Sequence, residues 1–534
     1  MAYKAVWANQ ENLNAFEYTK MNKDGLDIIR SIIEVYAKEG YDSIPADDMS
    51  LFKWAGLYQQ KPNNGHFLLR IRIPSGILNS KQANALGGIA QDYGRDLIDL
   101  TNRQSIQFHW IRVEHIPDIY NRLESVGLYS VEACGDCPRG IVGNPLAGID
   151  KDELIDTTDI ATEVSKFFVG NRDFSNLPRK YKMSISSNIY NNAHAEIQDL
   201  AFTPATKMID GQEVIGFHIQ VGGGLSAKPF LAKPLNLFVR PEEVLKVAVG
   251  VATIFRDYGY REKRHNARLK FLVNDWGAEQ FQSKLEELIG SMPERGEDRI
   301  VGWQAAYLDG VHPQKQTGMN YIGLNIPMGR LSGTELAELA RISEEYGNGA
   351  LRTTISKNIL LPYIPDHRVE EVLSHSILQR LTPSPKRFIA RMMSCTGNEF
   401  CNLAPVETKL RALSVAEYLD KHVELDQDIR ISLVGCPNAC GHKQIADIGL
   451  QGVLVKTAEG MKEAFEIAIG GTLGPGAQFN EKLKGRVLAE EVGQVLAELI
   501  SVYKQNRTVE EAFHQFYKRL GIGAFQSRLD EILK

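Results

Sequence analysis

Cysteine is scarce in this chain, with six in 534 residues. Long hydrophobic runs are missing as well: the longest apolar stretch, VAVGVATIF at 247–255, falls far short of the ~20 residues that span a bilayer. The N-terminal MAYKAVWANQENLNAFEY contains no apolar core of signal-peptide length. These absences predict a cytoplasmic protein without a membrane partner. In that reducing setting cysteines are expected to be metal ligands, catalytic groups or buried thiols rather than disulfides.

A strong charge of either sign is also lacking. The net charge is −5, which gives no reason to expect nucleic acid as a partner. With 43% hydrophobic and 24% charged residues, the composition is that of an ordinary soluble globular protein. At roughly 150 residues per domain, the length predicts about three or four domains.

The chain contains an internal duplication. At an offset of 253 residues, GHFLLRIRIPSGILNSKQANALGG, which starts at 65, matches GMNYIGLNIPMGRLSGTELAELAR, which starts at 318. IQVGGGL at 219–225 matches IAIGGTL at an offset of 248, and FQSKLEEL at 281–288 matches FQSRLDEI at an offset of 244. Each copy therefore covers roughly 220 residues in the same order. A doubled module predicts a pseudo-twofold seam, where a large ligand could bind.

Within a copy, strand and helix patterns alternate. FLLRIRIP has the two-residue period of a strand, LNSKQANALGGIAQDYG has helical spacing with Asn79 or Ser80 as the N-cap, and SIQFHWI follows as another strand. The predicted fold class is α+β, or mixed α/β. The predicted divisions are an N-terminal arm (1–64), two parts of the first copy (65–132 and 133–290), a linker (291–317), and two parts of the second copy (318–383 and 384–534).

Four of the six cysteines form two short-spaced pairs in the second copy. Cys395 and Cys401 are spaced C-x5-C, and Cys436 and Cys440 are spaced C-x3-C. Structural zinc sites more often use C-x2-C, so these spacings favour a four-thiolate iron–sulfur cluster. A zinc-stabilised binding protein and a simple iron–sulfur electron carrier stay open as alternatives. In the first copy Asn188 and Asn192 stand at the positions of the second pair.

The segments CTGNEFCNLAPVETK and GCPNACGHKQIADIG resemble the sirohaem-dependent sulfite and nitrite reductases, a family built from a doubled module. TNRQSIQFHWI, LPRKYK, VGGGLS and NARLKFLV extend the resemblance over nearly the whole chain. It implies a three-lobed fold with pseudo-twofold symmetry and ferredoxin-like half-domains. It also implies that Cys395, Cys401, Cys436 and Cys440 hold a [4Fe-4S] cluster, with Cys440 bridging to the sirohaem iron. Asn438 is a further candidate for cofactor binding, because its amide can reach a sulfur or a nearby polar group.

The resemblance also assigns an anion site to the first copy. Its implied residues are Arg103, Arg139, Lys180 and Lys182. Cationic side chains with several N–H donors suit an oxyanion. Further candidates, to pair with the carboxylates of sirohaem, are Arg179, Arg268 and Lys270. The histidines His109, His194 and His442 are expected to be structural.

The implied reaction is a six-electron reduction of sulfite to sulfide, or of nitrite to ammonia. Lys182 favours sulfite, because sulfite reductases of the family tend to carry lysine here and plant-type nitrite reductases carry asparagine. CTGNEFC, HPQKQTG and ADIG are at least as close to the nitrite branch. Cys137 resembles a loop cysteine that is covalently joined to a tyrosine in a subgroup of sulfite reductases, and Tyr58 is its predicted partner. Cys134 is expected to be a buried thiol without a role.

The duplication and the arm account for the whole chain, which leaves no room for a flavin or nicotinamide domain. Electrons are therefore expected from another protein, and the resemblance implies ferredoxin. No compact basic run marks its docking face. The internal pseudodimer removes one reason to dimerise, so a monomer is expected.

Overall fold

A computed structural model of the protein describes residues 12–303 and 307–534. The helices are α1 Ala15–Asn22, α2 Asp27–Ser31, α3 Ala37–Glu39, α4 Ala46–Leu51, α5 Ser80–Tyr93, α6 Ile116–Ser125, α7 Thr158–Phe168, α8 Val244–Tyr258, α9 Leu269–Ile289, α10 Gly333–Tyr346, α11 Val369–Leu373, α12 Arg387–Arg391, α13 Lys409–His422, α14 Val492–Asn506, α15 Phe513–Leu520 and α16 Gly523–Ile532. Within 12–303 and 307–534, none of them has the length and hydropathy of a transmembrane span.

The strands build four mixed or antiparallel sheets. They are β1 Leu57–Gln59, β2 His66–Ile71, β3 Ile77–Asn79, β4 Ile98–Leu100, β5 Ile106–Arg112, β6 Val142–Gly143, β7 Met183–Ile185, β8 Leu200–Ile209, β9 Gln212–Val221, β10 Lys233–Val239, β11 Glu297–Asp298, β12 Gly310–Pro313, β13 Met319–Leu324, β14 Arg330–Leu331, β15 Ala350–Thr353, β16 Ile359–Pro365, β17 Met392–Ser394, β18 Ile431–Val434, β19 Ile448–Thr457, β20 Gly460–Ile469, β21 Glu481–Lys482 and β22 Val487–Leu488.

The α+β class and the duplication are confirmed by the sheets. The first copy builds β1-β2-β5-β4 and then β10-β9-β8-β7-β6, and the second copy builds β12-β13-β16-β15 and then β17-β18-β19-β20-β21. Three large hydrophobic cores result, one for the two smaller sheets together and one for each larger sheet. We call these the central lobe, the first-copy lobe and the second-copy lobe.

The two halves of the central lobe exchange short strands. The second copy's β14 completes the first sheet, with Arg330 opposite Asp99, and the first copy's β3 completes the other sheet, with Leu351 opposite Leu78. Helices α5 and α10 also cross closely, because a Cβ on Gly87 would come within 2.7 Å of the Gly333 carbonyl oxygen. The two copies therefore share one core and cannot be separated as independent domains.

The predicted helix start is confirmed at Asn79, whose side chain accepts the backbone N–H of Gln82 in a capping box. Its counterpart in the second copy, Ser332 with Glu335, forms the same box. The predicted arm and linker include residues 1–11 and 304–306, which lie outside the described residues. The described parts contribute β1 and β12, which pair at the edges of matching sheets, so the repeated fold begins upstream of residue 65.

Candidate functional site

Both cysteine pairs lie at one edge of the second-copy sheet. Strands β17 and β18 run parallel, with Ser394 opposite Leu433. Cys395 directly follows β17, and Cys436 follows β18 after one glycine. Because the carboxyl ends of neighbouring parallel strands meet at the same edge, the two loops that carry the four cysteines lie next to each other.

The loop backbone points hydrogen-bond donors at the sulfurs. The Gly435 N–H donates to Cys395 Sγ at 3.2 Å. Burial and the charges of Cys440 and Cys395 raise the pKa of Cys436 to about 11, although a hydrogen bond from the Asn438 backbone opposes the shift. Asn438 thus acts through its backbone, and its side chain is exposed. N–H donors to sulfur are what an iron–sulfur cluster uses to stabilise its ligands.

All four thiols are close enough to interact electrostatically. Burial and the charges of Cys440 and Cys395 raise the pKa of Cys401, as they do that of Cys436. Within the described ranges, no three His, Cys, Asp or Glu side chains converge as the ligands of one metal ion do. A four-iron cluster instead takes one thiolate on each iron, so its ligands surround it without converging on one atom. The donor set and the sulfur environment therefore fit the cluster that the resemblance implies.

Cys440 is the exposed member of the four and lies against the first copy. The Asn102 side-chain amide donates a hydrogen bond to the Cys440 carbonyl. The next residue, Arg103, donates from Nη1 to Gln198 Oε1 at 3.2 Å and from Nη2 to the Gly140 carbonyl. The first copy's Thr101–Gln104 loop therefore meets the second copy's cysteine loop at the seam.

Two lysines, Lys180 and Lys182, lie at this seam. Within the part of the chain that the structure describes, neither Lys180 nor Lys182 has a side-chain hydrogen bond or ion pair. Burial and the nearby Arg179 and Arg268 lower the pKa of Lys180 to about 7. Burial and Arg103 hold the pKa of Lys182 well below its usual range. A bound anion would stabilise this cluster of cations.

Arg139 comes from a buried loop behind these lysines. Its guanidinium donates to the Gly135 carbonyl at 2.9 Å and to the Ala133 carbonyl at 3.0 Å. Burial together with Cys134 raises the pKa of Tyr58 to about 12, although Arg139 opposes the shift.

The Tyr58–Cys137 pairing stays a prediction, and the structure adds Cys134 as a second candidate sulfur. The Tyr58 hydroxyl hydrogen-bonds to the side chain of Cys134. The Cys137 thiol points instead at the carbonyls of Cys134 and Glu132 and is part of the hydrophobic core of the central lobe. Cys134, for which the sequence suggested no role, is therefore the sulfur beside the tyrosine.

Three cations that were expected to pair with cofactor carboxylates already have protein partners. Arg179 forms an ion pair with Asp136 at 3.1 Å, and Arg268 forms one with Asp199 at 2.8 Å. Lys270 donates to the Leu225 carbonyl at 2.8 Å. They lie near the seam, but their hydrogen-bond donors are already partly used by these protein contacts.

The three histidines have contacts that fit structural roles. His109 Nε2 lies 3.0 Å from an oxygen of Asp99, and the His109 ring stacks on Phe400 with centroids 3.9 Å apart. The rings of His194 and His442 face each other across the seam. Burial and the neighbouring His194 hold the pKa of His442 well below its usual range, so this imidazole is neutral.

Two buried lysines beside the cluster loops were not predicted. Lys357 donates from Nζ to the Ser394 carbonyl, and Lys409 lies 3.4 Å from Asp99. Burial and the charge of Lys409 lower the pKa of Lys357 to about 8. The repeat held a signal for Lys357, because TNRQ in the first copy becomes TISK in the second and puts lysine in the place of Gln104.

The first copy replaces the cysteines with a hydrogen-bonded amide network. Sheet register equates Val142 with Met393, since each lies opposite the equivalent serine of the next strand. Cys395 and Cys401 then correspond to Asn144 and Asp150. One Asp150 oxygen, Oδ2, accepts hydrogen bonds from the side-chain amides of Asn144, at 2.8 Å, and Asn188. Of the two copies, only the second therefore has thiols at these positions.

Comparison with known proteins gives two family matches. The family described as "Nitrite and sulphite reductase 4Fe-4S domain" matches residues 134–291 and 388–534. The family described as "Nitrite/Sulfite reductase ferredoxin-like half domain" matches residues 58–126 and 312–375. Together these matches cover most of both copies.

Individual relatives match along almost their full length. The chain is 39% identical to a ferredoxin–nitrite reductase of Synechococcus elongatus, over 92% of this chain and 97% of the relative. It is 37% identical to sulfite reductase [ferredoxin] 2 of Mycolicibacterium paratuberculosis, over 96% of both. The solved structure of the Mycobacterium tuberculosis NirA protein superposes with a TM-score of 0.92 at 35% identity, covering 97% of this chain and 99% of that one.

Proposed function

Because the chain belongs to the nitrite and sulfite reductase family, we propose that it catalyses the six-electron reduction of sulfite to sulfide. The observation that carries the proposal is the pair of lysines at the seam, Lys180 and Lys182, whose ammonium groups have no hydrogen-bond or ion-pair partner among residues 12–303 and 307–534. Lys182 interacts electrostatically with Arg103, and Lys180 interacts electrostatically with Cys440. A small anion bound there would lie next to the implied redox centre.

We propose that Cys395, Cys401, Cys436 and Cys440 hold a [4Fe-4S] cluster, with Cys440 bridging to sirohaem. When bound, these cofactors would supply electrons and a metal that takes the substrate. Cys440 suits the bridging role because its thiol is exposed at the seam, whereas Cys395 is buried in its own lobe.

The chain's own cations would bind and orient the anion. Reduction takes sulfur from +4 to −2 and releases the three oxygens of sulfite as water, so the site must supply protons as well as electrons. Lys180, with its pKa lowered to about 7, can give up and regain a proton near neutral pH. Lys182 and Arg103 add N–H donors for the oxygens.

The second candidate is reduction of nitrite to ammonia by the same cofactors. The two relatives described above include a nitrite reductase and a sulfite reductase at similar identity. Lys182 supports sulfite, because an additional cation suits a partly dianionic substrate better than the singly charged nitrite. We propose ferredoxin as the electron donor, as in the names of both relatives, and a cytoplasmic monomer.

The test is turnover of purified, sirohaem-loaded protein with reduced ferredoxin, comparing kcat/KM for sulfite and for nitrite. We expect sulfite to be preferred, and Lys182→Asn to lower kcat/KM for sulfite about tenfold or more. Lys246→Asn, at an exposed position of α8, is the matched control and should leave both values unchanged. A preference for nitrite in the unaltered protein would reverse the substrate assignment. Loaded protein that turns over neither anion would reject the function.

A further inference from the structure

The two copies hold a buried aspartate at the same place but neutralise it with different residues. Asp199 and Asp447 are equivalent at the 248-residue offset. Asp199 accepts the backbone N–H of Lys182 at 2.9 Å, and Asp447 accepts the backbone N–H of Arg430 at 2.8 Å. The matching hydrogen bonds make Arg430 the counterpart of Lys182.

The side chains of these counterparts behave differently. Arg430 turns onto its own aspartate, with Nε 2.7 Å and Nη2 2.6 Å from the two oxygens of Asp447. Among the described residues, the Lys182 side chain forms no ion pair with Asp199, although burial lowers the pKa of Lys182 and the charge of Asp199 opposes that shift. The bidentate contact to Asp199 comes instead from Arg268, with Nε at 3.1 Å and Nη2 at 2.8 Å.

The repeat explains why only the first copy can neutralise its aspartate with an arginine at the start of a helix. Arg268 is the N-cap of α9, and its counterpart at the 244-residue offset, Ala512, is the N-cap of α15. Alanine has no donor to offer, so Asp447 must be neutralised by Arg430. A buried carboxylate left without a cation would cost several kcal/mol, so each copy needs one partner.

We infer that Arg268 is a positioning residue that occupies both oxygens of Asp199 and thereby leaves the Lys182 ammonium group to the substrate anion. The inference rests on the proposed function. Without Arg268, Asp199 would still have Lys182 as a neighbouring cation, whose backbone N–H it already accepts and whose charge interacts with it. The Lys182 side chain would then turn onto the carboxylate as that of Arg430 does in the second copy, and the site would lose one cation.

The central test is Arg268→Met, with sulfite as the probe. We expect KM for sulfite, and its Kd from absorbance titration of the oxidised protein, to rise about tenfold or more. The sirohaem content per chain should not change, and kcat should change less than KM. Adding Asp199→Asn removes the competing carboxylate, so the double variant should recover a KM and Kd within about threefold of the unaltered protein.

A control and a second variant keep the test decisive. Arg430→Met removes the equivalent ion pair from the second copy, and we expect it to leave KM and Kd for sulfite unchanged. If Arg268→Met does not fold, Arg268→Lys can still hold one oxygen of Asp199 and should give an intermediate rise. Loss of sirohaem from either Arg268 variant would show that Arg268 holds the cofactor instead.

Failure of the inference can be told apart from failure of the function. If the unaltered protein reduces sulfite normally but Asp199→Asn does not rescue Arg268→Met, the positioning role is wrong. An unchanged sulfite KM in Arg268→Met would overturn it as well. If the unaltered, loaded protein neither binds nor reduces sulfite or nitrite, the proposed function fails and the inference fails with it.

Discussion

His194 and His442 occupy the same position in the two copies, and their ring centroids lie 5.7 Å apart. Both have left-handed backbone, with φ of 52° and 62°. A residue that faces its own counterpart lies next to the symmetry axis, so the copies meet at the loops that carry these histidines. Cys440 and its counterpart Asn192 each lie two residues upstream. At this position the second copy has a thiol and the first copy has an amide.

This divergence predicts opposite outcomes for one substitution made in each copy. Cys440→Ala should lose sirohaem absorbance and most of the iron and acid-labile sulfide, because a cluster needs its four thiolates. Asn192→Ala should retain both cofactors, since it removes no thiol. The measurement is iron, sulfide and sirohaem per chain after purification. Equal losses in both variants would contradict the assignment of the cluster to the second copy.

Tyr58 and Cys134 give a second prediction, because the structure brings these two side chains together. In protein exposed to air, where dioxygen can take up the two hydrogens and two electrons released when the bond forms, we expect peptide mapping to recover Tyr58 joined to Cys134. Cys134→Ala should abolish the joined peptide, and Cys137→Ala should leave it. Recovery of Tyr58 joined to Cys137 would confirm the pairing predicted from the sequence, and unmodified Tyr58 would reject both.

Glu132 predicts a pH-dependent stability. It is fully buried, with Oε2 accepting the Gly170 N–H at 2.7 Å, and burial raises its pKa to about 7, although Arg72 and Arg139 oppose the shift and Asp24 adds to it. The unfolded carboxyl titrates near 4.5. Since the folded pKa is the higher one, the stability contributed by the protonated group is present below 4.5 and is lost as the pH rises through about 7.

The matched variant is Glu132→Gln, which keeps an acceptor for Gly170 and cannot ionise. Above pH 7 we expect it to be more stable than the unaltered protein by up to about 3 kcal/mol, with this difference disappearing towards pH 4.5. Urea unfolding of both proteins at several pH values measures it. A stability difference that does not vary with pH would contradict the raised pKa of Glu132.

Features that are local or repeated could be predicted from the sequence alone. The cap at Asn79 depends on residues within one helical turn, and the repeat shows itself through residues at fixed offsets. The partner of Arg268 could not be predicted, because Asp199 lies 69 residues away and only the sheet topology brings the two together. Tyr58 is likewise remote from both loop cysteines, so their spacing did not reveal which sulfur would face it.

The amide network of the first copy gives the last prediction. Asp150 is 7% exposed and accepts the side-chain amides of Asn144 and Asn188. Asp150→Ala would leave both amides buried without an acceptor, at about 1–3 kcal/mol each, so we expect the free energy of unfolding to fall by roughly 2–6 kcal/mol. Glu163→Ala, an exposed site on α7, should change it by no more than about 0.5 kcal/mol.

The cofactor content of Asp150→Ala distinguishes this structural role from a catalytic one. If the network holds the first-copy loops together as the cluster holds those of the second copy, folded Asp150→Ala should keep its iron and sirohaem and its KM for sulfite. Asp150→Asn, which retains one acceptor oxygen, should lose less stability than Asp150→Ala. Loss of iron from folded Asp150→Ala would instead mean that the two loop sets depend on each other across the seam, and that the first copy supports the cluster without providing a ligand.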